Sequence, residues 1–251
     1  MLISIVTATY NSEHFVSQMI ASLNAQSYRD FEHIVIDGSS TDNTVNIVTS
    51  LCFHDPVILV EKDTGIYDAL NKGISLANGE YIIFLHSDDI FASNDTLAEI
   101  ISDLRENDPD ILYGDVDFVL RTSPNLVVRR WVSGDFKRSK LRFGWMPPHP
   151  SFIARRGLYS SFGFFDTSLK ISADYENMLR LLLNPILSVK YANRKFTIMK
   201  TGGVSTRFSS LLMKFSEDYY VANRFFRFPS ILIALKTIRK LHQLWRFNRY
   251  E

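Results

Sequence analysis

The residues best placed to do chemistry are two adjacent carboxylates, Asp88 and Asp89, that close an uninterrupted apolar run, Tyr81-Ile82-Ile83-Phe84-Leu85. Two acidic side chains at one point are costly unless a cation shares them. The usual one is a hard divalent ion, Mg2+ or Mn2+, that keeps some waters and also touches substrate phosphates. The competing use of an Asp pair is to open a turn. Other carboxylates stand at comparable places: Asp37 after His33-Ile34-Val35-Ile36, Asp63 after Val57 to Val60, and Asp174 ahead of Met178, Leu179, Leu181 and Leu182. An Asp at a helix start either complements the helix dipole or serves as a general base. His149 lies in Gly144-Trp145-Met146-Pro147-Pro148-His149-Pro150, whose prolines make the stretch rigid and non-helical. A lone His there is either structural or a ligand for metal, phosphate or acceptor.

The elements that must position these groups alternate strictly. Apolar strands are expected at Leu2 to Val6, Phe31 to Ile36, Val57 to Val60 and Tyr81 to Leu85. Helices fall between them: one capped by Asn11 or Ser12 with Phe15, Val16, Met19, Ile20 and Leu23 at helical spacing, one with Val45, Ile47, Val48 and Leu51, and one over Asp68 to Leu76. Strand and helix in alternation with short connections give parallel βαβ units, hence an α/β fold with a mostly parallel central sheet flanked by helices. Ligands of such sheets bind beyond the carboxyl ends of the strands. Thr7 to Asn11, Asp37, Asp63 and the Asp88-Asp89 pair therefore converge on one edge. Neither G-x-G-x-x-G nor a Walker A sequence is present, which removes the Rossmann oxidoreductases and the P-loop NTPases.

Beyond Phe91 the pattern is less regular. Asp110 to Phe118 reads as a strand with Leu126 to Trp131 as its antiparallel companion, and Leu187 to Ala192 and Thr197 to Met199 as closing strands. Thr201-Gly202-Gly203-Val204-Ser205-Thr206 reads as a flexible loop, and the chain from Phe208 as helices. With 46% hydrophobic and 22% charged residues in 251, the composition is that of an ordinary globular protein. The lone Cys52 excludes a disulfide framework and fits a reducing, cytoplasmic compartment. Met1 to Val6 lacks the basic region of a secretory signal, and no run is long and apolar enough to span a bilayer. The net charge of +1 hides an asymmetry: from Arg207 onward nine Lys or Arg face three acidic residues.

Four ordered stretches resemble the motifs of family 2 glycosyltransferases: Ile5-Val6-Thr7-Ala8-Thr9-Tyr10-Asn11, Ile34-Val35-Ile36-Asp37-Gly38-Ser39-Ser40-Thr41-Asp42, Asp63-Thr64-Gly65-Ile66-Tyr67-Asp68-Ala69-Leu70-Asn71-Lys72-Gly73, and Phe84-Leu85-His86-Ser87-Asp88-Asp89. The third is similar to that of bacterial enzymes building exopolysaccharide, capsule or O-antigen. The resemblance implies a GT-A fold and an inverting transfer from a nucleoside-diphosphate sugar, a UDP-sugar, to a saccharide acceptor that is polyprenyl-diphosphate-linked. It further implies that Thr7, Ala8, Tyr10, Asp37, Asp63, Gly65, Asn71, Lys72, Ser87 and Asp88 bind the nucleotide sugar. Asp88 and Asp89, with His149 as a weaker addition, would hold the metal. Asp174 would be the catalytic base, with Glu176 as the alternative. This sequence departs from the family pattern at four points: Ala8 where Pro is frequent, Gly38 where a second Asp is frequent, His86 in place of the first Asp of Asp-x-Asp, and Ala173 in place of an acidic residue.

The expected division is a catalytic domain over 1–206, made of a nucleotide-sugar half (1–91) and an acceptor half (92–206), followed by a basic amphipathic helical region over 207–251. Lys236, Arg239, Lys240, Arg246 and Arg249 beside Ile238, Leu241, Leu244, Trp245 and Phe247 suit an anionic membrane surface bound through 228–251. That places the protein peripherally on the inner face of the cytoplasmic membrane, and removal of residues from about Phe228 is expected to leave the rest folded. No nucleic-acid partner is expected, and the oligomeric state stays open. Two rivals remain: a nucleotidyltransferase, and a non-catalytic nucleotide-sugar-binding module. A nucleotidyltransferase would carry a glycine- and basic-rich first loop, and a binding module has no need of a base.

Overall fold

A computed structural model of the chain describes residues 3–201 and 208–247. Leu2, the loop from Gly202 to Thr206 and Arg249 lie outside the described residues. So do the side chains of Lys240, Leu241, Leu244, Trp245, Arg246 and Phe247.

The first half is regular. β1 (Ile3–Thr9), α1 (Val16–Asn24), β2 (Phe31–Asp37), α2 (Thr44–Leu51), β3 (Val57–Val60), α3 (Ile66–Leu76) and β4 (Tyr81–Phe84) follow one another as strand and helix. The strands pair in parallel in the order β3-β2-β1-β4, so all four end at the same edge. Alternate residues of these strands feed opposite faces of the sheet, as an apolar run without polar interruption requires. Val6, Ile34, Ile36, Ile82 and Phe84 pack against Tyr67, Leu70 and Ile74 of α3. Ile3, Ile5, Val35, Tyr81 and Ile83 pack against Val16, Met19, Ile20 and Leu23 of α1. Each such fully buried side chain contributes about 1.5–3 kcal/mol. At Gly73 a Cβ would lie 2.3 Å from Val6 Cγ1, so only glycine lets α3 settle this closely on β1.

The second half is mixed. It comprises β5 (Ile90–Phe91), α4 (Thr96–Asn107), β6 (Ile111–Leu120), β7 (Ser123–Trp131), 3-10 turns at Arg138–Phe143 and His149–Ser151, β8 (Phe152–Arg155), α5 (Arg156–Phe162), α6 (Ala173–Leu182), β9 (Val189–Lys200), α7 (Phe208–Phe225) and α8 (Pro229–Phe247). β8 bridges the halves, antiparallel to β4 on one side and to Ile111–Tyr113 of β6 on the other. Where β8 stops, β7 takes its place beside β6 from Val116 onward. β9 runs parallel to β6, and β5 pairs antiparallel with β9.

Several elements differ from the expectation. α4 and α5 have no counterpart in the sequence reading, although Leu97, Ile100, Ile101 and Leu104 of α4 recur at helical spacing and are buried. The two expected closing strands are one long strand, β9, carried through a register shift against β6 between Tyr113 and Val116. The Pro-rich stretch does end in a 3-10 turn at His149–Ser151, because Pro150 falls in its first turn, where the missing N–H costs nothing.

The C-terminal helices are built into the body of the molecule. Val221, Ala222 and Leu232 join the same core cluster as α3 and α6. Lys236 Nζ sits 3.0 Å from Asp218 Oδ2 and 3.4 Å from the Tyr175 ring centroid, and burial lowers its pKa while Asp218 raises it. Arg239 donates to Phe143 O (3.0 Å). Lys236 is therefore tied inward and Arg239, though exposed, is bonded to the body, and truncation at Phe228 would strip core residues such as Leu232. No helix among the described residues is long and apolar enough to cross a membrane.

Candidate active site

The carboxyl ends of β1 and β2 are laced together by their loops. Asn11 N donates to Ser40 Oγ (2.8 Å), Thr41 N to Asn11 Oδ1 (2.9 Å), Ser12 N to Thr44 Oγ1 (2.7 Å) and Glu13 N to Asp42 Oδ2 (3.1 Å). Asp37 is the hub of this lacing. It is 0% exposed, and its two oxygens accept from Thr9 Oγ1, Ser40 N and Ser40 Oγ, each at 2.7 Å. Asp37 thus shapes the rim rather than standing open as an acceptor.

The space beside it is closed by Asp63. A Cβ at Gly38 would come 2.5 Å from Asp63 Oδ2 and 3.4 Å from Tyr10 Cδ2. The side chain of Asp63, fixed by a bond from Gly65 N to Oδ1 (3.0 Å), fills the position left vacant by Gly38. Tyr10, 64% exposed, stands at the mouth. Tyr10, Gly38 and Asp63 thereby form one wall.

Of the other sequence-predicted donor residues, Ser87 reaches the rim, bonded through Oγ to Ser12 Oγ (3.1 Å). Ala8 is half-buried against the core, and Gly65 caps α3 with φ +138°. Three do not open on the cleft. Thr7 is fully buried, with Oγ1 3.0 Å from His33 Nε2. Asn71 makes two 2.9 Å bonds with the backbone of Phe165. Lys72 Nζ is held by Glu61 Oε1 and Lys62 O, each at 3.0 Å.

At the end of β4, Asp88 and Asp89 are unequal. Asp88 has a 26% exposed side chain and takes Arg121 Nη2 on its Oδ2 at 2.6 Å. Asp89 is 1% exposed, its Oδ2 has no partner, and burial with the neighbouring Asp88 pushes its pKa well up against the pull of Lys200 and Arg121. Arg121 lies just past β6, its guanidinium 4.2 Å from the Phe15 ring centroid. Lys200, the last residue of β9, bonds Gln18 Oε1, and its pKa is lowered by burial and raised by Asp88. Two cations thus face two carboxylates. The donor set is all oxygen, with Asp88 as the partly exposed carboxylate an ion can reach and Asp89 buried behind it as support, which suits Mg2+ or Mn2+. Among the described residues no group of three or more His, Cys, Asp or Glu is arranged to hold an ion, so diphosphate and water would complete the coordination. His149 is not part of that set. It stacks on Phe84 (5.2 Å) and His86 (5.8 Å), and its Nε2 is closed off without a partner. Burial holds its pKa down at about 4, and burial likewise lowers that of His86.

Asp174 opens α6 on the acceptor side. Its Oδ1 accepts from Tyr175 N (2.7 Å) and lies 3.2 Å from Tyr67 Oη, whose one proton is shared with Ile171 O (2.7 Å). Among the described residues Asp174 Oδ2 has no donor. Asp174 acts to raise the pKa of both His86 and His149, and Asp88 that of His86. Glu176 faces elsewhere: it is 1% exposed and paired with Arg180 at 2.8 Å. The loop into α6 is anchored from α7. Glu217 accepts from Lys170 N (2.8 Å), Ile171 N (2.8 Å) and Ser172 N (2.9 Å), and Ser172 Oγ donates to Asp218 Oδ1 (2.8 Å). Sequence reasoning missed Arg121, Lys200, Tyr67, Glu217 and Asp218. Tyr67 alone carried a signal, since it sits inside the Gly65-to-Gly73 motif.

Residues 4–168 match the family described as Glycosyl transferase family 2. A PGL/p-HBAD biosynthesis glycosyltransferase of Mycobacterium bovis (strain BCG / Pasteur 1173P2) is 32% identical over 194 residues, 76% of this chain and 73% of the relative. S. aureus TarS 1-349 in complex with UDP-GlcNAc superposes with a TM-score of 0.69 at 22% identity, over 88% of this chain and 66% of that one, just under two thirds of its length. Mannosyltransferase PcManGT from Pyrobaculum calidifontis, in complex with GDP-Man and Mn2+, superposes with a TM-score of 0.62 at 21% identity, over 93% and 68%.

Proposed function

The chain belongs to glycosyl transferase family 2 and has the GT-A fold of its structural neighbours, and from that premise we propose that it is an inverting, metal-assisted glycosyltransferase using a UDP-hexose or UDP-N-acetylhexosamine. The observation that carries this reading is the position of Asp174. Its Oδ2 has no donor among the described residues, and Asp174 and Asp88 both act electrostatically on His86, which supports reading a base and a diphosphate site close together. The base of the nucleotide lies against Tyr10 and Asp63, and Ser87 and Asp88 lie beside the diphosphate. A divalent ion on Asp88, with Asp89 behind it as support, would when bound supply Lewis-acid neutralisation of the leaving diphosphate. The acceptor hydroxyl gives its proton to Asp174 Oδ2 as its oxygen attacks the anomeric carbon from the side opposite the diphosphate. Tyr67 holds the other oxygen of Asp174 and so fixes the direction of the free one. The transition state has oxocarbenium character, as in other glycosyl transfers. His86 and His149, whose pKa values burial lowers, add no fixed positive charge near Asp174. The test is product analysis with a panel of nucleotide sugars. Transfer from a UDP-sugar with inverted anomeric configuration by NMR is the expected outcome. A retained configuration, or release of pyrophosphate from a nucleoside triphosphate, would refute the reading.

The acceptor is a polyprenyl-diphosphate-linked saccharide of bacterial surface-polysaccharide assembly, a reading that rests on the motif resemblance, since the relatives named for PGL/p-HBAD biosynthesis name no such acceptor. Contact with an anionic membrane falls to the exposed apolar residues Phe228, Ile231 and Ile238 of the C-terminal segment, since Lys236 and Arg239 are engaged internally. Binding to lipid vesicles that Ile231→Ser weakens and that added salt changes little is expected. No binding by the intact protein would refute it.

A further inference from the structure

Arg121 holds one oxygen, Oδ2, of the partly exposed Asp88. Its Nη2 lies 2.6 Å from Asp88 Oδ2, its Nε donates to Thr201 O (3.2 Å), and its guanidinium lies over Phe15. Lys200 cannot take the same place, because its ammonium is bonded to Gln18 Oε1 and is repelled by Arg121. Asp89 offers no alternative seat, being buried with its free oxygen closed to solvent. A divalent ion seated on Asp88 would press directly against the guanidinium, and two cations in contact on one carboxylate oxygen repel each other. Arg121 therefore competes with the ion for Asp88. Without nucleotide, the displaced guanidinium has no anion to go to. With nucleotide, the diphosphate oxygens lie next to it, and a guanidinium pairs with phosphate as readily as with carboxylate.

We propose that Arg121 stands in for the metal on Asp88 in the donor-free enzyme and transfers to the diphosphate when metal and donor arrive together, so that metal binding is conditional on nucleotide. This rests on the reading of Asp88 as the metal–diphosphate residue. Asp88 need never face the cleft as a bare charge. The nucleotide-free enzyme discriminates against free divalent ions by an internal competitor rather than by a shortage of ligands.

The test is titration of Mn2+, followed by EPR, against the wild type, Arg121→Ala and Arg121→Gln, with and without UDP. Gln keeps an N–H for Thr201 O while removing the charge, and thermal melts of all three proteins check folding. For the wild type, UDP is expected to tighten Mn2+ binding strongly. For both variants, Mn2+ alone is expected to bind at least about fivefold tighter than to the wild type, and the enhancement by UDP to shrink by about tenfold, within the range of ordinary site–site coupling. Wild-type coupling with variants that bind Mn2+ alone no tighter overturns the role of Arg121 and leaves the metal reading standing. Absence of Mn2+ binding to the wild type even with UDP overturns both.

Discussion

At the ends of β1 and β2, the proposed donor side, each loop is tied to its neighbour, whereas Asp174, the proposed base, is held by residues from remote parts of the chain. The donor-side braces Asn11–Ser40, Ser12–Thr44 and Glu13–Asp42 join positions 29 to 32 residues apart, the span of one βαβ unit. The hold on the base reaches 107 residues back to Tyr67, and the loop before it is anchored 45 to 47 residues forward by Glu217 and Asp218. The difference separates two tasks. A donor rim made from consecutive units can form as soon as those units fold, while the base acquires its direction only when α3, α6 and α7 are all in place.

The sharpest way to break this comparison is to remove the base and ask whether the donor rim notices. Asp174→Asn is expected to lower the transfer rate about a hundred- to ten-thousandfold while UDP binding by calorimetry stays within a few-fold of the parent. Transfer close to the parent rate would put the proton acceptor elsewhere.

Acid should attack the donor side first. His33 is buried against Thr7, and burial, with His54 adding to it, holds its pKa down at about 3 from an ordinary 6.5. Between those values the unfolded chain binds a proton that the folded one refuses, so stability falls as pH drops through 6.5 toward 3. By pH 4.5 the loss from His33 is on the order of 3 kcal/mol. His149, held at about 4, acts in the same sense. Denaturant melts at pH 7 and pH 4.5 measure this, and equal stability at both would show that His33 is not closed to protons.

Glu217→Ala leaves Lys170 N, Ile171 N and Ser172 N without their carboxylate and is expected to cost about 1.5–3 kcal/mol in stability. The accompanying fall should be in kcat, with the dissociation constant for UDP unchanged. A change confined to UDP binding would erase the division between the two sides. The mildest intervention is Ser40→Ala, which cuts one donor-side brace and one bond to Asp37. About 1 kcal/mol of stability and a several-fold weakening of UDP binding are expected, with kcat at saturating donor preserved.

The same contrast explains what the sequence made legible. Strands β1 to β4 are continuous apolar runs punctuated by carboxylates, so their ends and the convergence of Asp37, Asp63, Asp88 and Asp89 could be read from local pattern alone. Periodicity could not tell which of those groups face the cleft. Thr7 and Asn71 look like ligands in a motif, yet their polar atoms are consumed by His33 and by the backbone of Phe165. Arg121 sits in a hairpin turn and Glu217 on a helix, where charged residues are ordinary, and only the tertiary fold gives them Asp88 and the amides before α6. The basic tail misled for the same reason. Charge counts do not distinguish a solvated lysine from Lys236, which reaches back to Asp218.

The three amides that converge on Glu217 also set an order of events in time. Chains emerge from synthesis N-terminus first, so β1 to β4 are complete long before α7 exists. A nascent chain at that stage has its donor rim but an unsecured base. Anchoring of the loop before α6 is therefore among the last steps as the chain is made. Hydrogen exchange at Lys170, Ile171 and Ser172 reports that moment: slow exchange marks α7 docked, and fast exchange in the intact chain would show that the latch does not close.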